Sequence, residues 1–308
     1  MSLSKPRRCR AAFTVLLPRR RRARAVWAPL PSPHQVWAHS CVSKQKLEHA
    51  LQNPEVTAIE VDVAMGYFTG NPGKKMPVMT HPPLLTSDLT FEDFLDKLIE
   101  DKRRHVKFDF KDLESVERCL PVLAERSSEL ARNGQAVWLN ADVLPGPGLR
   151  RWSCAVPAEE FLSKAEEYCP GAHLSLGWKA NPVGLEAYNE ADCKAMAQIC
   201  RHHAKQNVVF AVAARAAARD FQPLADLLAQ IPGSQLLFWT GAWEPPLLNT
   251  TLVKLQESLA NHGLLQRCGF DCRVLDSYFS CLGPMLSAIT EAGNALFHVV
   301  AKTMFAFQ

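Results

Sequence analysis

Acidic residues are missing from the first 47 positions of this 308-residue chain, and nine basic ones crowd the first 30: Lys5, Arg7, Arg8, Arg10, Arg19, Arg20, Arg21, Arg22 and Arg24. Setting those nine aside from the 35 lysines and arginines leaves 26 against 31 acidic residues, so the body is net acidic although the whole chain stands at +4. A body without a basic stripe and interleaved aromatics argues against a nucleic-acid-binding fold. Long apolar runs are missing too: no window approaches the ~18 residues that a membrane-spanning helix needs. No GxGxxG or phosphate-cradling loop is present, which argues against a nucleotide-binding sheet. The ten cysteines form no CxxC pair, and Cys268 with Cys272 lacks a second pair at zinc spacing. Scattered thiols suit a reducing compartment.

The basic stretch has three readings. It has the composition of a mitochondrial presequence, it offers Arg19 to Arg22 as a nuclear or RNA-adhering patch, or it is a solvated extension in which Pro18, Pro29, Pro31 and Pro33 prevent a helix. Residues 1–34 are accordingly expected to be a basic, disordered extension. A secretory signal fits poorly, because arginines follow the short apolar run at 11–17 where small residues belong. The expected location is intracellular, cytoplasmic first and mitochondrial second.

From residue 36 onward, short β-like runs alternate with helical patterns. Strands are expected at 36–39, 58–63, 77–80, 106–110, 136–140, 174–177, 208–213 and 236–240, and helices at 43–51, 91–99, 114–133, 158–168, 190–206 and 221–231. Repeated strand-then-helix units predict parallel strands with right-handed crossovers. Eight of them predict an α/β fold of the closed (β/α)8 TIM-barrel kind. His39, His81, Lys111, Asn140, Asp142, Trp178, Arg215 and Trp239 all fall at or just past strand carboxyl ends, the face where barrel active sites assemble.

Strand alternation puts Glu60 and Asp62 on one face, and Asp109 and Lys111 likewise. Two carboxylates at i and i+2 on an apolar strand repel and lose hydration, at a cost of at least a few kcal/mol, unless a cation lies between them. Glu60, Asp62 and Asp109 make an all-oxygen set that suits Mg²⁺ or Ca²⁺ better than zinc. His39 and His81 supply a base and an acid near neutral pH, and Lys111 can meet a phosphate oxygen. Each has an ordinary reading as well: a salt-bridged strand pair, a loop-packing histidine beside Pro82, an Asp109–Lys111 ion pair. Their conjunction at successive strand ends favours one shared site.

The words Trp37-Ala38-His39-Ser40, Ile59-Glu60-Val61-Asp62-Val63, Met79-Thr80-His81-Pro82-Pro83, Val106-Lys107-Phe108-Asp109-Phe110-Lys111, Val137-Trp138-Leu139-Asn140-Ala141-Asp142 and Leu174-Ser175-Leu176-Gly177-Trp178 resemble, in this order, the menorin family (family with sequence similarity 151). That family is similar in turn to PLC-like phosphodiesterase barrels such as glycerophosphodiester phosphodiesterases and sphingomyelinase D toxins. The resemblance implies a distorted (β/α)8 barrel in which 77–80 is an extra hairpin strand. It implies catalytic roles for His39, His81 and Lys111, a metal held by Glu60, Asp62 and Asp109, and hydrolase or lyase action on a phospholipid-derived or other small phosphodiester. Asn140, Asp142, Ser175, Trp178, Arg215 and Trp239 are candidates for the substrate pocket, Arg215 as a phosphate contact and the tryptophans as its wall. The implied alternative is a non-catalytic recognition or adhesion module serving neuronal development and maintenance, with a protein partner. The family pattern closes its barrel with a Tyr-Asp-Ile-type strand. That word is missing here, so the barrel is expected over 35–245, its last strand divergent or missing, with 272–275 or 296–300 as substitutes and 246–308 as a divergent segment.

Overall fold

The computed structural model describes residues 26–181, 185–203, 208–241 and 244–274. Its first part runs β1 (Trp37–Ala38), α1 (Lys44–Gln52), β2 (Ala58–Phe68), β3 (Asn71–Met79), β4 (Thr86–Ser87), α2 (Phe91–Asp101), β5 (His105–Phe110) and α3 (Leu113–Arg132). There follow β6 (Val137–Pro145), α4 (Ala158–Tyr168), β7 (His173–Lys179), α5 (Glu190–His203), β8 (Val208–Ala213), α6 (Ala214–Ala217), α7 (Gln222–Gln230), β9 (Gln235–Trp239), α8 (Asn249–Asn261) and β10 (Cys268–Asp271). Strands β1, β2, β5, β6, β7, β8, β9 and β10 lie side by side in that order, all parallel, as an eight-stranded barrel wall. β3 folds back antiparallel on β2, the extra hairpin strand that the resemblance implied.

Local chemistry sets the elements. Thr90 caps α2 by accepting the Asp93 N–H at 3.0 Å, and the helix then lays Phe91, Phe94, Leu95 and Leu98 against the barrel. They meet the outward residues of β5, with Phe108 5.2 Å from Phe91 and 5.7 Å from Phe94, ring centre to ring centre. Each such burial contributes about 1.5–3 kcal/mol. Asp112 caps α3 through the Ser115 N–H at 2.7 Å and also accepts the Met65 N–H at 2.8 Å, tying that helix to β2.

Inward-facing Trp37, Trp138, Val209 and Leu237 fill the floor at the strands' amino ends, with Ala28 and Leu30 packed on them. Trp27 Nε1 donates to the Pro170 carbonyl at 3.2 Å, and His173 Nε2 bonds the Ala28 carbonyl at 2.9 Å. The expected disordered extension therefore gives way from Val26 on: the apolar residues between its prolines plug the barrel, and residues 1–25 lie outside the described ones. No helix among the described residues is long and apolar enough to cross a membrane.

The last strand is divergent rather than missing. Cys268–Asp271 pairs with Leu236–Trp239 residue for residue, so α8 and β10 carry the barrel beyond residue 245. Phe270-Asp271 supplies an aromatic-Asp word in this strand, just ahead of the expected 272–275 substitute; 296–300 lies outside the described residues. Among the described residues no ladder joins β10 to β1. The seam is bridged otherwise. Low down, the chain leading into β1 presses on β10 so closely that a Cβ on Gly269 would lie 2.1 Å from the Pro33 carbonyl oxygen. Higher up, His39 Nδ1 meets Asp271 Oδ2 at 2.8 Å.

Gly269→Ala is therefore expected to destabilise the protein by about 1–3 kcal/mol, as overpacking does, and to lower the thermal midpoint by several degrees. An unchanged midpoint would show that Pro33 does not lie against β10.

Candidate active site

Alternation along the barrel strands turns one polar set into the mouth. β2 contributes Glu60 and Asp62, β5 Lys107 and Asp109, β6 Asn140 and β7 Ser175, with Asp62, Asp109, Asn140 and Ser175 in direct register. Just past β5, Lys111 Nζ sits 2.9 Å from Asp62 Oδ1 and 2.7 Å from Asp109 Oδ2. Ser175 Oγ donates to Asn140 Oδ1 at 2.5 Å. From β10, Asp271 faces His39 and lies 4.0 Å from Lys107 Nζ. Ser40 holds a left-handed backbone, φ 53°, which aims its N–H at Glu60 Oε2 at 2.7 Å. A non-glycine residue in that region is uncommon, and here the hydrogen bond offsets its cost.

The electrostatics are those of a crowded acidic pocket. Burial and the neighbouring Asp62 push the Glu60 carboxyl up to about 7, against the pull of His39 and Lys107. Burial and Asp109 likewise push Asp142 up to about 6, although Lys111, Lys107 and His81 favour its ionised form. Burial opposes ionisation of Asp109, but Lys111 and Lys107 outweigh it and hold that carboxyl below its usual range. Burial also opposes the Lys111 charge, yet Asp109 and Asp62 keep it well above its ordinary value. His39 follows the same logic: desolvation is overcome by Asp271 and Glu60, which raise the imidazole to about 9.

Carboxylate oxygens of Glu60, Asp62 and Asp109 lie within 4.8 Å of one another, and Asp109 Oδ1 is buried without a hydrogen bond of good geometry, although the Asn140 amide beside this carboxyl helps to hold it ionised. A buried, poorly satisfied carboxylate oxygen is costly, and a hard cation satisfies it. The three carboxylates could therefore hold a metal ion beside the Lys111 ammonium that bridges Asp62 and Asp109. A second group, His39, Glu60 and Asp271, meets the same 4.8 Å limit, but its His39–Asp271 hydrogen bond already satisfies both members.

The remaining expected residues divide. His81 is exposed at the rim, its Nδ1 2.6 Å from the Pro82 carbonyl, and its charge bears on Asp142. Asp142 stands at the mouth in room that Gly177 provides, since a Cβ there would lie 2.4 Å from Asp142 Oδ1. Trp239 is half-buried, in register with Asp271 at the top of β9. Trp178 is not part of the pocket. With Gly177 turned inward, alternation sends Trp178 outward, where it is fully buried against Tyr188 with Nε1 3.3 Å from the Asp192 carbonyl. Arg215 is committed elsewhere: its guanidinium binds Glu244 Oε2 at 2.9 Å and the Pro245 and Pro246 carbonyls, which leaves no free fork for a phosphate.

A model of the Menorin N-terminal domain matches residues 34–265. The chain belongs to the menorin family. Human protein FAM151B is 31% identical over 208 residues, 67% of this chain and 72% of that protein. Among solved structures, a glycerophosphodiester phosphodiesterase from Parabacteroides distasonis is 11% identical with a TM-score of 0.44, over 85% of this chain and 99% of that one. An L-ribulose 3-epimerase is 13% identical with a TM-score of 0.41, over 89% and 98%. Likenesses this loose carry no argument about chemistry.

Three residues of this menorin-family site escaped the sequence reading. Lys107 was signalled by alternation with Asp109 and Lys111. Asp271 was signalled by its aromatic neighbour Phe270 and its place one crossover helix after β9. Ser40 carries no sequence signal, since its part depends on backbone conformation.

The His39–Asp271 pair sets a pH dependence. His39 is raised from 6.5 to about 9, so its contribution is complete below pH ~6.5 and is lost as pH rises through about 9. In chelator-containing buffer, Asp271→Asn should cost on the order of a few kcal/mol at pH 6 and progressively less above pH ~9, measured by denaturant unfolding. A penalty independent of pH would contradict the pairing.

Proposed function

We propose that this menorin-family barrel is a divalent-cation-dependent phosphodiesterase acting on a phospholipid-derived or similar small phosphodiester. The observation that carries the reading is the poorly satisfied Asp109 Oδ1 inside the Glu60–Asp62–Asp109 triangle, beside a histidine that a buried aspartate holds. Glu60, Asp62 and Asp109 would hold Mg²⁺ or Ca²⁺, which supplies Lewis-acid polarisation of a phosphoryl oxygen when bound. Lys111, fixed between Asp62 and Asp109, places its ammonium where a non-bridging phosphate oxygen can accept from it.

Proton traffic falls to the histidines. His39 is held as an imidazolium by Asp271 and Glu60, so its Nε2–H is the proton available to a departing alkoxide. The Pro82 carbonyl takes the Nδ1–H of His81 and so fixes the tautomer whose Nε2 lone pair can accept a proton from the attacking hydroxyl. Attack forms one P–O bond and departure breaks another, with one proton passing to His81 and one from His39. Asn140 and Ser175, hydrogen-bonded to each other below the mouth, shape the pocket wall, with Asp142 and Trp239 at its rim.

Glu60→Gln is expected to abolish Mg²⁺ or Ca²⁺ binding by calorimetry while the thermal midpoint is retained. His39→Ala and His81→Ala should each lower turnover of a glycerophosphodiester by about 10²–10⁴-fold. Unchanged cation affinity in Glu60→Gln would sink the metal assignment. Cation binding without turnover of any diester would favour the recognition-module reading instead.

A further inference from the structure

Large exposed apolar side chains among the described residues are Val26, Tyr67, Leu84, Leu85, Trp152, Leu185 and Leu248. Val26 is exposed two residues ahead of Ala28, the first residue of the floor plug. The other six stand on the face that carries the mouth: Tyr67 at the distal end of β2, Leu84 and Leu85 between β3 and α2, Trp152 between β6 and α4, Leu185 between β7 and α5, and Leu248 between β9 and α8. The loops at the opposite end of the barrel contribute none of these. Single exposed apolar residues need no explanation when scattered, but six of seven on one face do.

The part nearest the chemistry is built rather than loose. Residues 81–86 are all exposed, and the turn that presents Pro82, Pro83, Leu84 and Leu85 is closed by the Leu84 N–H to the His81 carbonyl at 3.1 Å and by Thr80 Oγ1 to the Leu84 carbonyl at 3.0 Å. After β6, two places along the wall from β2, Trp152 is 63% exposed, with Lys179 Nζ 5.7 Å from its ring centre. Leu248 projects from a loop that Arg215 braces from below, through the Pro245 and Pro246 carbonyls.

We infer that this rim is a docking surface for a lipid aggregate, seating the mouth on a bilayer or micelle so that a lipid phosphodiester enters from the apolar side. The inference rests on the phosphodiesterase reading. Two features select lipid over a protein segment. The apolar groups come from separate loops around an opening and form neither a groove nor a helix face, so they fit a deformable apolar phase better than a shaped partner. An exposed tryptophan beside a lysine matches the boundary between acyl chains and anionic head groups, where ring and ammonium are both favoured.

Sedimentation of the full chain with vesicles of equal parts phosphatidylcholine and phosphatidylserine tests this. The unaltered protein should bind. The double variant Leu84→Ser, Leu85→Ser and the variant Trp152→Ala should each lose roughly tenfold or more in partitioning, as expected for withdrawn apolar side chains. Hydrolysis of soluble bis(p-nitrophenyl) phosphate by the same variants should be unchanged. Failure of the unaltered protein to bind vesicles, or equal binding by the variants, overturns the inference. Rim variants that instead dissociate a dimer in light scattering, without any vesicle binding, assign the surface to protein and overturn it too. Vesicle binding without soluble-diester hydrolysis would remove the phosphodiesterase reading and leave the rim; hydrolysis without vesicle binding would remove the rim alone.

Discussion

A parallel barrel turns every second side chain of each strand inward, and in this chain that geometry drives the carboxyl groups of Glu60, Asp62, Asp109, Asp142 and Asp271 into one mouth. Two lysines and a histidine face them: Lys107, Lys111 and His39. Five acids crowded against these bases, with His81 at the rim, resist full ionisation in a desolvated space, and the raised Glu60 and Asp142 carboxyls express that conflict. Apolar residues cover the outer faces of the same strands, so moving any one acid out of the mouth would break the packing of Ile59, Val61, Phe108 or Phe270. Fold and acidity are therefore set by the same alternation.

The same arrangement couples barrel closure to the site. At the seam where β10 and β1 share no ladder, the mouth-side connection is the His39–Asp271 contact. One partner precedes the first helix and the other ends the last strand, so the proton-holding state of His39 depends on the chain having come full circle. Residues 26–35 reinforce this from below, where the backbone at Pro33 lies against Gly269.

Most of this was legible where runs were long and side chains β-branched or aromatic. β2 and β5 stand out as apolar alternation and β8 as a continuous apolar run, and Glu60, Asp62, Asp109 and Lys111 converge as their spacing required. β10 was not legible, because four residues that include Gly269 and an aspartate offer neither length nor β propensity, and their pairing is decided by β9. The floor plug was hidden by its prolines, which forbid a helix but not the extended packing that Ala28 and Leu30 adopt. Trp178 and Arg215 were misplaced for different reasons. Position at a strand end does not say which way a side chain turns, and Gly177 decides that for Trp178; Arg215 begins a short helix whose loop partners follow 29 to 31 residues later.

The proposed chemistry requires that the acidic triangle hold a cation. Anomalous diffraction from crystals soaked in Mn²⁺, as a stand-in for Mg²⁺, tests it most directly. The expected result is one strong peak within ligand distance of Glu60, Asp62 and Asp109, including Asp109 Oδ1, and its disappearance in Glu60→Gln crystals. A triangle without a peak while Lys111 still bridges Asp62 and Asp109 would contradict the account, because the acids would then be balanced by protein groups alone.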